Sequence, residues 1–312
     1  MSDTTLLVAN DGGHFMQMLT LSKRLDLDDV VWATVPTPQT ETLLEGSCVE
    51  WTHPAPTRDL RAVARNTQFM RSVVARHRPS KIVSTGASLA LSSLPIAAIH
   101  DTPAHYIESV TRADSFSLSG RVLRHAPRVK MYTQWPHMAD EHWQYRGSVL
   151  DGFSASQTCD TTVNSIVVSL GTSQTYGFRR LLERLVEVIP PDVSVLWQTG
   201  STDTSELGID AMPTVPGDKL EKAIEDADVV IAHAGAGISL TAITAGRHPL
   251  IVPRRAEHGE HVDGHQGQIA NRLGEMGLAM VREVDDIAWS DIERAACFES
   301  RRDELIPTFD LS

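Results

Sequence analysis

The sequence predicts an α/β fold of two parallel-sheet domains, and three observations carry the prediction. Apolar runs of strand length alternate with helix-period segments along nearly the whole chain, which is the pattern of parallel sheets covered by helices on both faces. The alternation lapses once, in LDGFSASQTCDTTVNS (150–165), where small and polar residues replace the apolar periodicity and mark a seam. The length of 312 residues is generous for one domain and comfortable for two.

In chain order, the first-half strands are expected in TTLLVAN, DVVWATV, KIVSTG, AHYIES and VKMYTQ. The second half repeats them with NSIVVSLG, SVLWQTG, VVIAHAG and HPLIVP. The expected domains are Rossmann-like and cover 1–150 and 160–290. DDIAWSDIERAACFESRRDEL, after Val284, reads as one or two helices, giving a helical tail over 291–312 that packs back on the first domain. Open α/β sheets bind ligands beyond the carboxyl ends of their strands, so the expected site is a cleft between the two domains.

Charge narrows the partners. The formal net charge of −12 argues against a general nucleic-acid binder, but residues 1–150 hold 15 Lys/Arg against 14 Asp/Glu, and the remainder 13 against 26. Arg58, Arg61, Arg65, Arg71, Arg76, Arg78 and Lys81 crowd one stretch, which reads either as a solvated helix face or as a surface for an anionic acceptor or membrane. Cys48, Cys159 and Cys297 form no CxxC pair, the beginning of the chain lacks a signal-like segment, and no apolar run approaches membrane-spanning length. The expected setting is the cytoplasm.

The most informative block is IAHAGAGISLTAITAGRHPLIVPRRAEHGEHVDGHQGQIAN (231–271). A strand ends at His233 and breaks at Gly235, Ala236 and Gly237 before a helix, the arrangement of a phosphate cradle. After the next strand a polar loop carries Arg254, Arg255, Glu257, His258, Glu260, His261, Asp263, His265 and Gln266 to the same sheet edge. Phosphate donors and hydroxyl readers one βα unit apart suit a nucleotide-sugar. The loop's histidines and Asp263 match neither HExxH nor a paired CxxC site, so no metal is expected.

In the first half, Asn10, Asp11, Gly12, Gly13 and His14 separate a strand from a helix. Paired glycines permit a sharp turn, and His14 at the positive helix end reads as a neutral general base or as a structural histidine at a cap. Glu108 follows another strand, and Arg112, Asp114, Ser115, Ser117, Ser119 and Arg121 fill the loop and helix after it. These residues read either as ligand contacts or as caps and turns.

GGHF, STGA (84–87), YIES, SLSGR and QWP, in that order, resemble the membrane-associated half of the two-subunit enzyme that adds the second N-acetylglucosamine to dolichol-linked oligosaccharide. VSLGTS, AHAGAG and PRRAEHGEHVDGHQ resemble its catalytic half, and the paired bacterial exopolysaccharide glycosyltransferases of the same group. Here the halves are fused. The resemblance implies a GT-B fold of the glycosyltransferase family 28 type and an inverting, metal-independent hexosyltransferase. It implies no cofactor, a UDP- or dTDP-sugar as donor, and a lipid-linked saccharide, glycan or small-molecule acceptor met by peripheral membrane contact.

Carried to this chain, the resemblance places Gly171, Thr172, Ser173, His233, Gly235, Ala236 and Gly237 around the donor diphosphate. It makes Thr241, Glu260, Asp263, His265 and Gln266 the sugar and ribose readers. His14 is the expected base, with Glu108 in reserve, and Gly12, Gly13, Arg112 and Ser119 stand on the acceptor side. Two departures bear on donor identity: Thr241 stands where many relatives carry a ribose-holding glutamate, and Gly264 where the family pattern carries aspartate. A nucleotide-sugar 2-epimerase of the same fold would convert a UDP-sugar without acceptor, and a non-catalytic donor-binding subunit would need a partner for transfer.

Overall fold

The computed structural model describes residues 4–25, 27–56, 59–158, 162–172, 175–261 and 264–311. The chain forms two compact units, Met1–Asp151 with Ile306–Ser312, and Gly152–Leu305. Ser173 and Asp263 of the candidate site, and Arg58 and Cys159, lie outside the described residues.

In the first unit the strands are β1 (Thr4–Val8), β2 (Asp29–Thr34), β3 (Cys48–Trp51), β4 (Lys81–Ser84), β5 (Ala104–Ile107), β6 (Val129–Thr133) and β7 (Trp143–Tyr145). They pair in parallel in the order β3-β2-β1-β4-β5-β6-β7. All of β1 and β5 is buried, as strands covered on both faces require. The helices are α1 (Gly13–Ser22), α2 (Pro38–Leu43), α3 (Leu60–His77), α4 (Ser88–Ile99) and α5 (Leu118–Leu123).

Asp59 starts α3 by accepting from the amides of Arg61 and Ala62, and Arg78 ends it in the left-handed region at φ 46°. Ala62, Asn66, Met70, Val73 and Val74 bury one stripe of that helix. Arg61, Arg65, Arg71 and Arg76 remain on its exposed side.

The second unit opens with β8 (Phe153–Gln157), followed by β9 (Ser165–Ser169), β10 (Ser194–Gln198), β11 (Ala211–Met212), β12 (Val229–His233), β13 (Leu250–Val252), β14 (Met280–Val281) and β15 (Phe298–Arg302). Six of these form a parallel sheet ordered β11-β10-β9-β12-β13-β14, flanked by α6 (Arg179–Val188), α7 (Gly217–Asp226), α8 (Ala236–Thr244), α9 (His265–Glu275) and α10 (Trp289–Ala296). Counted within each parallel sheet, the first runs 3-2-1-4-5-6-7 and the second 3-2-1-4-5-6, so in both the strand order reverses between the first and fourth strands. That reversal is where a crevice opens for a ligand.

Every predicted apolar run forms a strand, and β8 lies within the seam. One expectation is corrected. FESRR is a strand and not a helix: β15 pairs antiparallel with β8, from Phe298 opposite Gln157 to Arg302 opposite Phe153. The expected helical tail is therefore a helix, a strand and an extended end. Phe309 in that end is 2% exposed and meets Tyr132 edge-on at 6.0 Å. Tyr132 donates its hydroxyl to the Leu311 carbonyl at 2.9 Å, and Arg24 donates Nε to the Pro307 carbonyl at 3.1 Å.

Candidate functional site

At the reversal point of the first sheet, the loops after β1 and β4 are stitched together by Asn10. Its Oδ1 accepts from the amides of Ala87 and Leu89, capping α4, and its Nδ2 donates to Ala55 O at 3.0 Å. Gly12 turns the chain at φ 67°, and His14 is the second residue of α1. His14 Nδ1 lies 2.6 Å from the Thr85 carbonyl. A carbonyl can only accept, so Nδ1 carries a proton, and in the neutral ring the lone pair is then on Nε2. Thr85 returns its hydroxyl to the His14 carbonyl at 2.8 Å. Gly86, at φ 100°, leaves room for the ring, since a Cβ there would stand 3.0 Å from His14 Cε1.

Gly12, Gly13 and His14 thus gather with Thr85 and Gly86. Arg112 and Ser119 belong to the segment after β5, one strand further along the sheet; Arg112 donates its amide to Ser109 O at 2.9 Å and Ser119 sits half-buried in α5.

Glu108 has a different task from the reserve base expected of it. It is 1% exposed; Oε1 accepts from Ser109 N at 2.9 Å and Tyr106 OH at 3.1 Å, and Oε2 accepts from Ser117 N at 2.9 Å. Burial pushes its pKa up, while the Ser117 and Ser109 amides pull it down. Gly120 cannot carry a side chain, because a Cβ would lie 2.5 Å from Oε2. The carboxylate fastens both ends of the 109–117 loop, and Ser117 then caps α5 through its hydroxyl. Glu108→Ala strands three donors and is expected to cost about 2–4 kcal/mol. Urea unfolding measures this, and an unshifted midpoint would rule the role out.

Gln17 and Gln134 were not singled out as site residues, yet they bind this edge together. Gln17 joins Gly13 O, Ser109 Oγ and Val110 N, and receives Gln134 Nε2 at 3.0 Å. Gln134 also reaches Glu108 O and Val149 N. Only their burial inside an otherwise helical and strand-like pattern distinguishes them.

At the reversal point of the second sheet, β9 ends at Ser169 beside Ala232 of β12. His233 closes β12 with Nδ1 3.4 Å from the Ser169 carbonyl. Two glycines make the seat of its ring: a Cβ on Gly171, itself at φ 73°, would lie 2.8 Å from Cε1, and one on Gly235 would lie 2.2 Å from Nε2. Thr172 follows Gly171, half-buried.

Gly235 N already donates to His233 O at 2.8 Å, so it leaves the expected cradle. The first-turn amides of α8, on Ala236, Gly237 and Ile238, have no intrahelical acceptor and are aligned to hold an anion. Thr241, one turn on, donates its hydroxyl to Gly237 O at 3.0 Å and keeps its oxygen as an acceptor.

Burial, and then the nearby Arg254 guanidinium, lower the His233 pKa to about 3, so its imidazole is neutral. His105 is similarly lowered to about 4 by burial, Lys130 and Lys81. Between pH 6.5 and 5 the unfolded chain takes up a proton at both positions and the folded chain does not. Stability therefore falls as pH falls, by up to about 1.4 kcal/mol per pH unit for each histidine. Thermal unfolding across that window is expected to show the fall, shallower in His105→Phe. A midpoint indifferent to pH would contradict the two neutral rings.

The loop after β13 divides into holders and presenters. Glu260 is 6% exposed and holds Arg180 Nε at 3.1 Å and Arg255 N at 2.8 Å. Its oxygens are taken by Arg180 of α6 and by the Arg255 amide, so sugar contact is not its role. Gln266 is 3% exposed and accepts Arg254 N on Oε1 at 3.0 Å, which leaves its amide NH₂ to meet a ligand. His261 stacks on Tyr176 with centroids 5.6 Å apart and meets His265 edge-on at 4.6 Å. Among the described residues no group of His, Cys, Asp and Glu is arranged to hold a metal ion.

Residues 165–285 match the model of the glycosyltransferase family 28 C-terminal domain. No curated protein is significantly similar in sequence. Among solved structures, MurG of Acinetobacter baumannii is 17% identical with a TM-score of 0.59, over 94% of this chain and 89% of that one. The glycotransferase of kitacinnamycin is 16% identical with a TM-score of 0.61, over 95% and 89%. MnaA of S. aureus, solved with UDP, is 8% identical with a TM-score of 0.58, over 95% and 91%. The chain has the GT-B fold.

Proposed function

We propose that this chain moves a sugar from a nucleoside-diphosphate sugar, a UDP-sugar first, to an acceptor hydroxyl, with inversion at the anomeric carbon and without a metal. The observation that carries the reading is His233 on the α8 turn, at the reversal point of a sheet whose residues match the family 28 domain. A helix N-terminus with unfilled amides at that point fits a diphosphate. The resemblance to MurG and the UDP held by MnaA support the donor class.

In the reaction, His14 Nε2 accepts the acceptor hydroxyl's proton while that oxygen bonds the anomeric carbon. The bond from that carbon to the diphosphate oxygen breaks, and the electron pair leaves with the nucleoside diphosphate. The α8 amides receive the growing charge, with Gly171 and Thr172 beside them. Thr241, His265 and the Gln266 amide read the ribose and the sugar; Gly12, Gly13, Arg112 and Ser119 serve the acceptor.

A lipid-linked saccharide is the favoured acceptor, met at the cytoplasmic face by peripheral contact. Exposed Arg61, Arg65 and Arg71 on α3, and exposed Leu118 and Val122 on α5, support that choice. Among the described residues no helix is long and apolar enough to cross a membrane.

Calorimetry with UDP and dTDP tests the donor, and NMR of the product's anomeric centre tests the stereochemistry. Wild-type UDP affinity in His233→Ala, or a product of retained configuration, would overturn the corresponding part.

A further inference from the structure

Arg254 is a poorly compensated charge of the second unit. It lies just past β13 and is 3% exposed, yet among the described residues it forms no ion pair with a carboxylate. Its Nη2 donates to the Leu170 carbonyl at 2.9 Å, and its buried Nε has no acceptor. Phe178 offers only a ring face, 5.7 Å from Cζ. Glu260, the nearby acid, is occupied by Arg180 and the Arg255 amide. The next residue makes the contrast: Arg255 is paired through Nε and Nη2 with Glu283.

The path of the side chain gives its position. β13 and β9 are not neighbours; β12 lies between them. To reach Leu170 at the end of β9, the guanidinium must cross the carboxyl end of β12, the strand that finishes in His233. It therefore lies at the reversal point, against the residue that precedes Gly171 and beside the turn into α8. Its backbone is fixed there by Gln266.

A desolvated cation with one neutral hydrogen bond is costly to keep. Here burial lowers the Arg254 pKa to about 10, which still leaves the group charged at neutral pH. An anionic ligand would repay that cost. The helix end is a partial donor only, equivalent to about half a unit charge, whereas leaving-group departure transfers a whole one.

We propose that Arg254 is the fixed counter-charge of the donor diphosphate, supplying beside the α8 amides the positive charge that a metal ion would otherwise bring. The inference rests on the nucleoside-diphosphate reading above and adds to it a residue, and a reason for the loop that holds it. Gln266 and Glu260 become positioning residues: they hold the backbone on either side of Arg254 so that its fork stays across β12.

The test titrates UDP, dTDP and inorganic pyrophosphate into wild type, Arg254→Met and Arg254→Lys, and records the melting temperature of each without ligand. Arg254→Met is expected to weaken UDP by about 10- to 100-fold while the unliganded melting temperature stays level or rises, because the variant no longer buries an unpaired charge. Arg254→Lys should recover part of the affinity. Unchanged UDP affinity in Arg254→Met overturns the inference, as does a variant whose unliganded melting temperature collapses, which would mark a structural arginine. Wild type that binds pyrophosphate through Arg254 but neither nucleotide would remove the nucleotide reading and leave the counter-charge; wild type blind to all three would remove both.

Discussion

His14→Ala is expected to lower the rate of sugar transfer by about 10²–10⁴-fold, the contribution of one positioned base, while UDP affinity stays at the wild-type value. The separation follows from the position of the ring. His14 belongs to the first unit and its tautomer is set by Thr85, whereas the diphosphate reading uses only second-unit residues. Single-turnover rates and calorimetry together measure both quantities. Near-normal transfer by the variant would end the base assignment, and a parallel loss of UDP binding would show that the substitution disturbs more than proton transfer. Gly86→Ala is the companion: the new Cβ meets the ring at 3.0 Å at a φ of 100°, so the imidazole shifts without losing its chemistry.

Gly235→Ala is expected to weaken UDP binding at least tenfold and to lower stability by about 1–3 kcal/mol, the usual range for forcing a methyl into occupied space. The residue's φ is −98°, which alanine adopts freely, so backbone strain does not enter. The whole effect comes from the 2.2 Å approach of the new Cβ to His233 Nε2. A double-mutant cycle isolates it: in a His233→Ala background the same methyl has nothing to strike, and its cost to stability should nearly vanish. An undiminished cost in that background would mean that the glycine serves the turn itself and not the ring. Gly171→Ala would confuse the two causes, since a φ of 73° adds strain to the contact.

The central strands were legible because burial on both faces demands uninterrupted apolar runs, and LLV, IVVS and VVIA supply them. The edges were not. β3 (CVEW) and β7 (WQY) are short and partly exposed, so nothing in their composition announces a strand. FSASQ and FESRR are less legible still: each is polar, and each is a strand only because the other lies beside it, although most of the second unit separates them in sequence.

The site divides along the same line. The turn after His233 and the GGH segment are local chemistry, written in consecutive residues. Glu108 and Glu260 looked like ligand groups because polar residues in loops read that way, and only their partners show that they hold the loops in place. Arg254 was one arginine of a polar loop until the order β9-β12-β13 placed its fork across a strand end.

The return of residues 306–312 to the first unit has a consequence for anyone exchanging parts between relatives of this chain. The second unit is one continuous insert, Gly152–Leu305, and the first unit is two pieces. A swap made at a single joint near residue 151 would carry off Phe309 and Leu311 and bare the Tyr132 and Arg24 surface they cover. A chimera with two joints, one on each side of the insert, keeps the native owner's last segment on its own sheet and is the design that should stay folded.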